Sequence, residues 1–464
     1  MSDDYEAFLN SKMETVQPVG FEADTMHESL FPFQRDLVGW ALRQGRCAVF
    51  ADTGLGKTRM QLEWARQVSA RAGRVLILAP LAVAAQTVRE GVALGITVAL
   101  CREPEDVRDG VNVTNYDRLH RFDASQFVGV VLDESSCIKH HGAKTLAQLI
   151  SAFGSTPYRA CFTATPAPND FAELGTHAEF LGICTRAEML AEYFINDGSE
   201  TQKWRLKGHA RAYFWRWVAS WGALIRKPSD LGYEDDGYAL PPLSVEHHTA
   251  PTDTDTLRNM GVLFAEQARD LTERRNARKA SISKRVQMVA DIVNADSEQW
   301  IVWGDFNAET EGVAALVPGA VEVAGPDDPD DKARELLAFA DGKTRVLVTK
   351  SSIAGYGLNL QGCARMAFIG VSDSWESYYQ AVRRCWRFGQ KRPVQVHIFS
   401  SESEGSVIEN LKRKEADARK MSDELSAETG EALRSNILRR PRRHNPYTPS
   451  STLMLPVWLR SNHV

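Results

Sequence analysis

The chain has 464 residues, enough for two or three units of about 100 to 200 residues, and its 43% hydrophobic and 25% charged content is that of a globular protein. No apolar run approaches the roughly 20 residues that span a bilayer, so no membrane helix is expected; a formal net charge of −5 excludes a generally basic coat, leaving only a local groove to hold a phosphate backbone. The seven cysteines form no CxxC pair and read as reduced core residues, and the acidic N-terminus lacks a secretory pattern, so a cytoplasmic location is expected.

Residues 1–28 read as an acidic lead-in. In LFPFQRDLVGWALRQG, Leu37, Trp40 and Ala41 fall at helical spacing, and Gln34, just ahead of them, has an amide suited to an adenine edge. Cys47 to Ala51 is a short apolar strand, and a helix follows from Arg59. The turn between them, ADTGLGKT, has the spacing of a P-loop, with Ala51 where the motif usually has glycine. Thr53, Gly54 and Gly56 make the cradle, Lys57 reaches the β and γ phosphates, and Thr58 offers a hydroxyl to magnesium. ATP and Mg2+ are the cofactors this pattern calls for.

The strand RVLILAP, the helix AVAAQTVREGV and two short strands at 96–100 and 111–115 follow. Strands alternating with helices predict an α/β fold with a mainly parallel sheet covered on both faces. The next apolar strand, Phe127 to Leu132, runs into Asp133 and Glu134. Two carboxylates at the carboxyl end of a buried strand suit the floor of a site, with Asp133 as metal holder and Glu134 as the group that polarises water. A last strand, RACFTATPAPND, closes this sheet.

The order FPFQ, ADTGLGKT, LAPLAVAAQ, TNYDRL, LDESSCIK, FTATPAPN resembles the first lobe of helicase superfamily two, and within it the Swi/Snf-like translocases. The second half continues the likeness with QWIVWGDFNAE, VLVTKSSIAGYGLNLQGCARMAFIG and SWESYYQAVRRCWRFGQKRPVQVHIF, so the resemblance covers roughly residues 30–400. It implies two RecA-like lobes with ATP between them, and the compact form looks like bacteriophage or bacterial members. Arg384 and Arg387 match the family's two finger arginines and Gln380 its leading glutamine. Spaced three apart on a helix, the arginines share a face that can stabilise charge on a transferring phosphoryl group. Gly355 and Gly357, with Asn359, match the other half of the interlobe seam. Ser136 stands where the DEAH form has histidine, the segment after Thr163 reads ATP where many members read GTP, and Arg383 and Trp386 replace the usual aspartate and histidine. These departures bear on how hydrolysis is coupled to the track.

The domain plan is an N-terminal lobe at 29–170, a helical insertion at 171–236, a proline-rich linker at 237–248, a second lobe at 249–402 and a bracing helix with a basic tail at 403–464. In the insertion, Trp217 and Trp221 read as helix core, while Trp204 and Arg205 suit core packing and nucleic-acid stacking equally. The basic stretch Arg274 to Arg285 binds phosphates if it faces the cleft and is an ordinary solvated helix if it faces out. Gly325 to Arg334 reads as an acidic loop away from any DNA path. Ser406 and Glu409 form a capping box before a charged helix striped with Val407, Leu411, Ala418, Met421 and Leu425. The expected partner is DNA, with duplex favoured and phosphates the main contact. A monomer is expected, and an RNA helicase or a nucleotide-dependent switch are the alternatives.

Overall fold

The computed structural model describes residues 17–136, 142–167, 170–196, 204–251, 281–354, 358–371 and 374–401, with 409–410, 413–416, 429–431 and 433–439 beyond them. Helix α1 (Pro32–Gln44) leads into β1 (Arg46–Ala51), followed by α2 (Lys57–Ala72), β2 (Val75–Ala79), α3 (Leu81–Ala93), β3 (Val98–Leu100), β4 (Val111–Asn115), β5 (Gly129–Asp133), α4 (Gly142–Phe153) and β6 (Tyr158–Thr163). All of β2, β4 and β5 is buried, as strands covered by helices on both faces must be.

The chain continues through α5 (Leu174–Leu181), α6 (Arg186–Tyr193), the hairpin strands β7 (Phe194–Asn196) and β8 (Trp204–Leu206), α7 (Arg211–Trp221) and β9 (Gly222–Ile225). Residues 171–236 are thus largely helical but also carry three strands, which departs from an all-helical reading. Strand β9 is no part of a separate insertion. It pairs with β1 from Ala48↔Gly222 to Ala51↔Ile225 and completes a parallel sheet of order β3-β4-β2-β5-β6-β1-β9. Gly222 permits this: a Cβ there would sit 3.1 Å from the Phe50 ring. Trp215, Trp217 and Trp221 are buried in the first core, and Trp204 packs on its edge.

The second sheet is built from β10 (Leu243–Ala250), α8 (Ile282–Asn294), β11 (Trp300–Gly304), α9 (Asn307–Leu316), β12 (Ala320–Val323), α10 (Pro329–Ala340), β13 (Val346–Lys350), α11 (Ser351–Ala354), β14 (Arg365–Phe368), α12 (Trp375–Cys385) and β15 (Val394–Ser401). Its order is β10-β15-β14-β11-β13-β12, again parallel. The expected linker at 237–248 is corrected here. Its second half is the edge strand β10, which pairs with β15 over its whole length; the exposed, polar composition of an edge strand is what made it look like a linker. Pro241 and Pro242 precede the strand, where a missing N–H costs nothing.

The two sheets are the cores of two RecA-like α/β lobes. Arg285, the end of the basic stretch, is fully buried and pairs with Glu309 at 2.9 Å, so it faces the second core, not a phosphate track. Arg274 to Ala280 lie outside the described residues. The expected acidic loop at 325–334 is corrected in its second half, which is the first part of α10 begun by the Asp328 cap, and this end touches the first lobe: Arg102 pairs with Asp330 at 2.8 Å, next to the Arg89–Asp341 pair at 2.8 Å. The proposed capping box and most of its helix fall outside the described residues, but Leu433 and Ile437 of the tail are buried in the first core. No helix among the described residues is long and apolar enough to cross a membrane.

Candidate active site

The ADTGLGKT turn runs from the end of β1 to the start of α2. Gly54 and Gly56 hold φ of 94° and 80°, which glycine adopts without strain. Both are also crowded: a Cβ on Gly56 would lie 2.4 Å from Gln34 Nε2, and one on Gly54 2.8 Å from the Phe388 amide nitrogen of the other lobe. Gln34 is buried with both ends of its amide engaged, Nε2 donating to Leu55 O at 2.8 Å and Oε1 accepting from Phe31 N at 2.9 Å. It therefore ties the start of α1 to the glycine-rich turn, a role different from the adenine contact expected of it. Lys57 Nζ donates to Ala51 O at 3.0 Å, and burial pushes its pKa down.

At the end of β5, Asp133 is fixed from three sides. Gln61 Nε2 donates to Oδ1 at 2.5 Å, the Glu134 amide donates to the same oxygen at 3.0 Å, and Tyr116 OH donates to the Asp133 carbonyl at 2.8 Å. Burial, then the neighbouring Glu134 charge, raises the Asp133 pKa to about 6. Gln61 escapes sequence reasoning because a glutamine one turn into a helix carries no signal until the fold brings it beside a carboxylate 72 positions on. Glu134 has φ 49°, the left-handed region, at a cost of about 1–3 kcal/mol for a non-glycine residue. That turn carries its buried carboxylate beside Arg384, 3.7 Å away, and Oε2 finds no hydrogen-bond partner among the described residues.

Helix α12 ends at Cys385, so Arg384 sits in its last turn and Arg387 lies beyond it, not on the shared helical face expected, yet both reach the same place. Arg384 is held by the Gln380 carbonyl at 3.0 Å and the Gln380 side chain at 2.5 Å; Arg387 contacts Leu358 O at 3.4 Å, and its Nε has no partner among the described residues. Burial, then Arg384, lowers the Arg387 pKa to about 9, and burial lowers that of Arg384. Gln380 itself faces the seam, donating to Thr165 Oγ1 at 3.0 Å, and does not line the cavity. Ser136 also finds a place: Thr163 donates to its hydroxyl at 3.2 Å, and Thr165 N donates to Thr163 Oγ1 at 3.2 Å. A chain of hydroxyls thus links the acidic turn to α12. Arg383, which departs from the family pattern, spans the lobes, meeting Asp52 Oδ2 at 2.9 Å and Thr53 O at 3.0 Å.

Between the lobes lies a cavity of about 280 Å³ whose wall includes Gln34, Thr53, Gly54, Gly56, Lys57, Thr58, Asp133 and Glu134 from one side and Asn359, Arg384 and Arg387 from the other. Of the predicted site residues, only Gln380 among those described stands off it; Gly355 and Gly357 lie outside the described residues. An aromatic group at one margin was not anticipated. Tyr238 stacks on Phe388 with centroids 4.5 Å apart, and Phe31 meets both edge-on at 6.0 and 6.3 Å. Its members come from three distant segments, which hides it in the sequence.

Residues 286–389 match the helicase conserved C-terminal domain. The chain is also similar to the bifunctional helicase and thymine dioxygenase JBP2 of Leishmania braziliensis, 27% identical over 139 residues, 28% of this chain and 12% of that protein. The Leishmania major protein of the same description is 28% identical over 138 residues, 27% of this chain. The matched part thus spans only about an eighth of these relatives (12%). The matched domain runs from α8 to just past α12, within the second lobe.

Proposed function

We propose that the chain is a Mg-ATP-driven motor on DNA, of the Swi/Snf-like kind, that tracks duplex DNA mainly through its phosphates. The observation that carries this reading is that one cavity has a phosphate loop and two carboxylates on one wall and two arginines on the other.

The residues fit the substrate by charge. Arg384 is buried and Lys57 and Arg387 are half-buried, and all three pKa values are pushed down by desolvation. An entering polyphosphate supplies the counter-charge these cations lack. Open donors and acceptors, Arg387 Nε, Thr53 Oγ1 and Glu134 Oε2, have no other partner among the described residues. Thr58 and Asp133 would hold Mg2+, which supplies neutralisation of the β and γ phosphate oxygens. Glu134 then acts as the acceptor that orients and polarises water, and Arg384 and Arg387 stabilise charge as the bond breaks. The aromatic margin of Phe31, Tyr238 and Phe388 offers flat faces to a purine.

Because the arginines sit on the second lobe and the phosphate loop on the first, hydrolysis requires closure, and each opening shifts the grip on a phosphate backbone. The test is phosphate release with duplex DNA, single-stranded DNA or RNA present, alongside displacement of a triplex-forming strand. The reading expects the largest stimulation from duplex, a steep fall with salt and efficient triplex displacement with weak fork unwinding. Stimulation by single strands alone, with ready unwinding of a fork, overturns the duplex assignment.

A further inference from the structure

Apart from the interlobe cavity, strands β10 and β15 bring three metal-type ligands together at the edge of the second sheet. Glu246 is the register partner of His397, and His248 lies two residues further along β10, so by the alternation of strands all three side chains share one face. His248 Nε2 is 3.0 Å from His397 Nδ1, and a Glu246 carboxylate oxygen is 3.6 Å from the same nitrogen. One donor atom from each residue falls within 4.8 Å of the other two.

The two spacings at His397 are close to the edges of a coordination tetrahedron. With metal–nitrogen and metal–oxygen bonds of about 2.0–2.2 Å, ligand atoms in a tetrahedral site stand about 3.3–3.5 Å apart; the two distances measured at His397 Nδ1 bracket that value. Packing pre-orients the ligands. His248 stacks on Phe399 with centroids 4.6 Å apart, and His397 leans on Trp300 at 5.5 Å. Arg365, whose positive charge also bears on His397, is occupied by Asp296 at 3.1 Å. Glu246 is exposed, His248 half-buried and His397 buried, so the cluster opens to solvent on one side.

We propose that Glu246, His248 and His397 form a binding site for a divalent transition cation of the zinc class, with two imidazoles, one carboxylate and a fourth position open to water. Such an ion ties the edge strand that enters the second lobe to the last strand of the same sheet. The site is separate from the interlobe cavity, none of whose walls these residues form. It stands whether or not the chain hydrolyses ATP.

The test uses the full chain stripped with a chelator, titrated with Zn2+ against a competing chelator, and with Co2+ read by its visible spectrum. The wild type is expected to bind one Zn2+ per chain, to give a tetrahedral Co2+ spectrum, and to melt at higher temperature with zinc. Glu246→Gln, on the exposed edge, and His248→Gln each lower affinity by at least tenfold and abolish the thermal shift. His247→Gln, on the opposite face, leaves both unchanged. No uptake by the wild type means an imidazole pair only and overturns the proposal. So does uptake that persists in both ligand variants, which places the ion on the cysteines or elsewhere.

Discussion

Breaking the Arg383–Asp52 contact should loosen the closed arrangement of the lobes by a predictable amount. Arg383 is 7% exposed and Asp52 26%, and their 2.9 Å contact is a charge-assisted hydrogen bond across the cleft. Bonds of that kind contribute about 1.5–3 kcal/mol. Because Asp52 keeps a quarter of its surface in water, the lower end applies, about 1.5–2 kcal/mol, or roughly a ten- to thirtyfold shift between closed and open forms. Asp52 also accepts from Tyr379 OH at 3.1 Å and from Thr53 N at 2.6 Å, so the single variant Asp52→Ala loses more than this pair. A double-mutant cycle of Arg383→Ala and Asp52→Ala isolates it. Closure is read from energy transfer between dyes at the exposed positions Val92, on the first lobe, and Leu316, on the second. A coupling energy below about 0.3 kcal/mol, within the scatter of additive sites, would refute the idea that this pair latches the cleft.

Glu134→Gln should bind fluorescent ATP normally and lose at least about a hundredfold in phosphate release, because a neutral amide accepts no proton from water; Lys57→Ala should lose the binding itself. Asp133 gives a pH prediction with a definite sign. Its pKa is raised in the folded chain from 3.8 to about 6, so the fold favours its protonated form, and stability without nucleotide declines as pH rises between those values. Asp133→Asn should therefore raise the melting temperature of the nucleotide-free protein near pH 7 while abolishing turnover. Calorimetry and a phosphate-release assay check both halves.

The sequence was most readable where a local motif carries its own chemistry. The glycine-rich turn after β1, the acidic pair after β5 and the arginines at and just past the end of α12 could be named because glycine, charge and residue spacing are short-range signals. What escaped was what the fold assembles. Gln61 becomes informative only beside Asp133, and the role of Arg383 is set by Asp52, which lies 331 positions away in the chain. The residues GALI of β9 continue the apolar run of α7, so nothing local separates a buried four-residue strand from another helical turn. In β10 the alternation of an edge strand was masked by polar residues and two preceding prolines. Glu134 adopts its left-handed backbone without any glycine to announce it.

The central claim is that both lobes contribute to one hydrolytic site, and the most direct measurement is ATP turnover with and without duplex DNA in the wild type and in Arg387→Ala. Arg387 lies 330 positions after Lys57 in the chain (387 − 57) yet lines the same cavity. Loss of an arginine that stabilises a phosphoryl transition state costs about 10³–10⁵ in turnover. The account predicts that Arg387→Ala folds, retains ATP binding within about tenfold, and loses DNA-stimulated turnover by at least about a thousandfold. DNA-stimulated turnover at the wild-type rate in Arg387→Ala would contradict it.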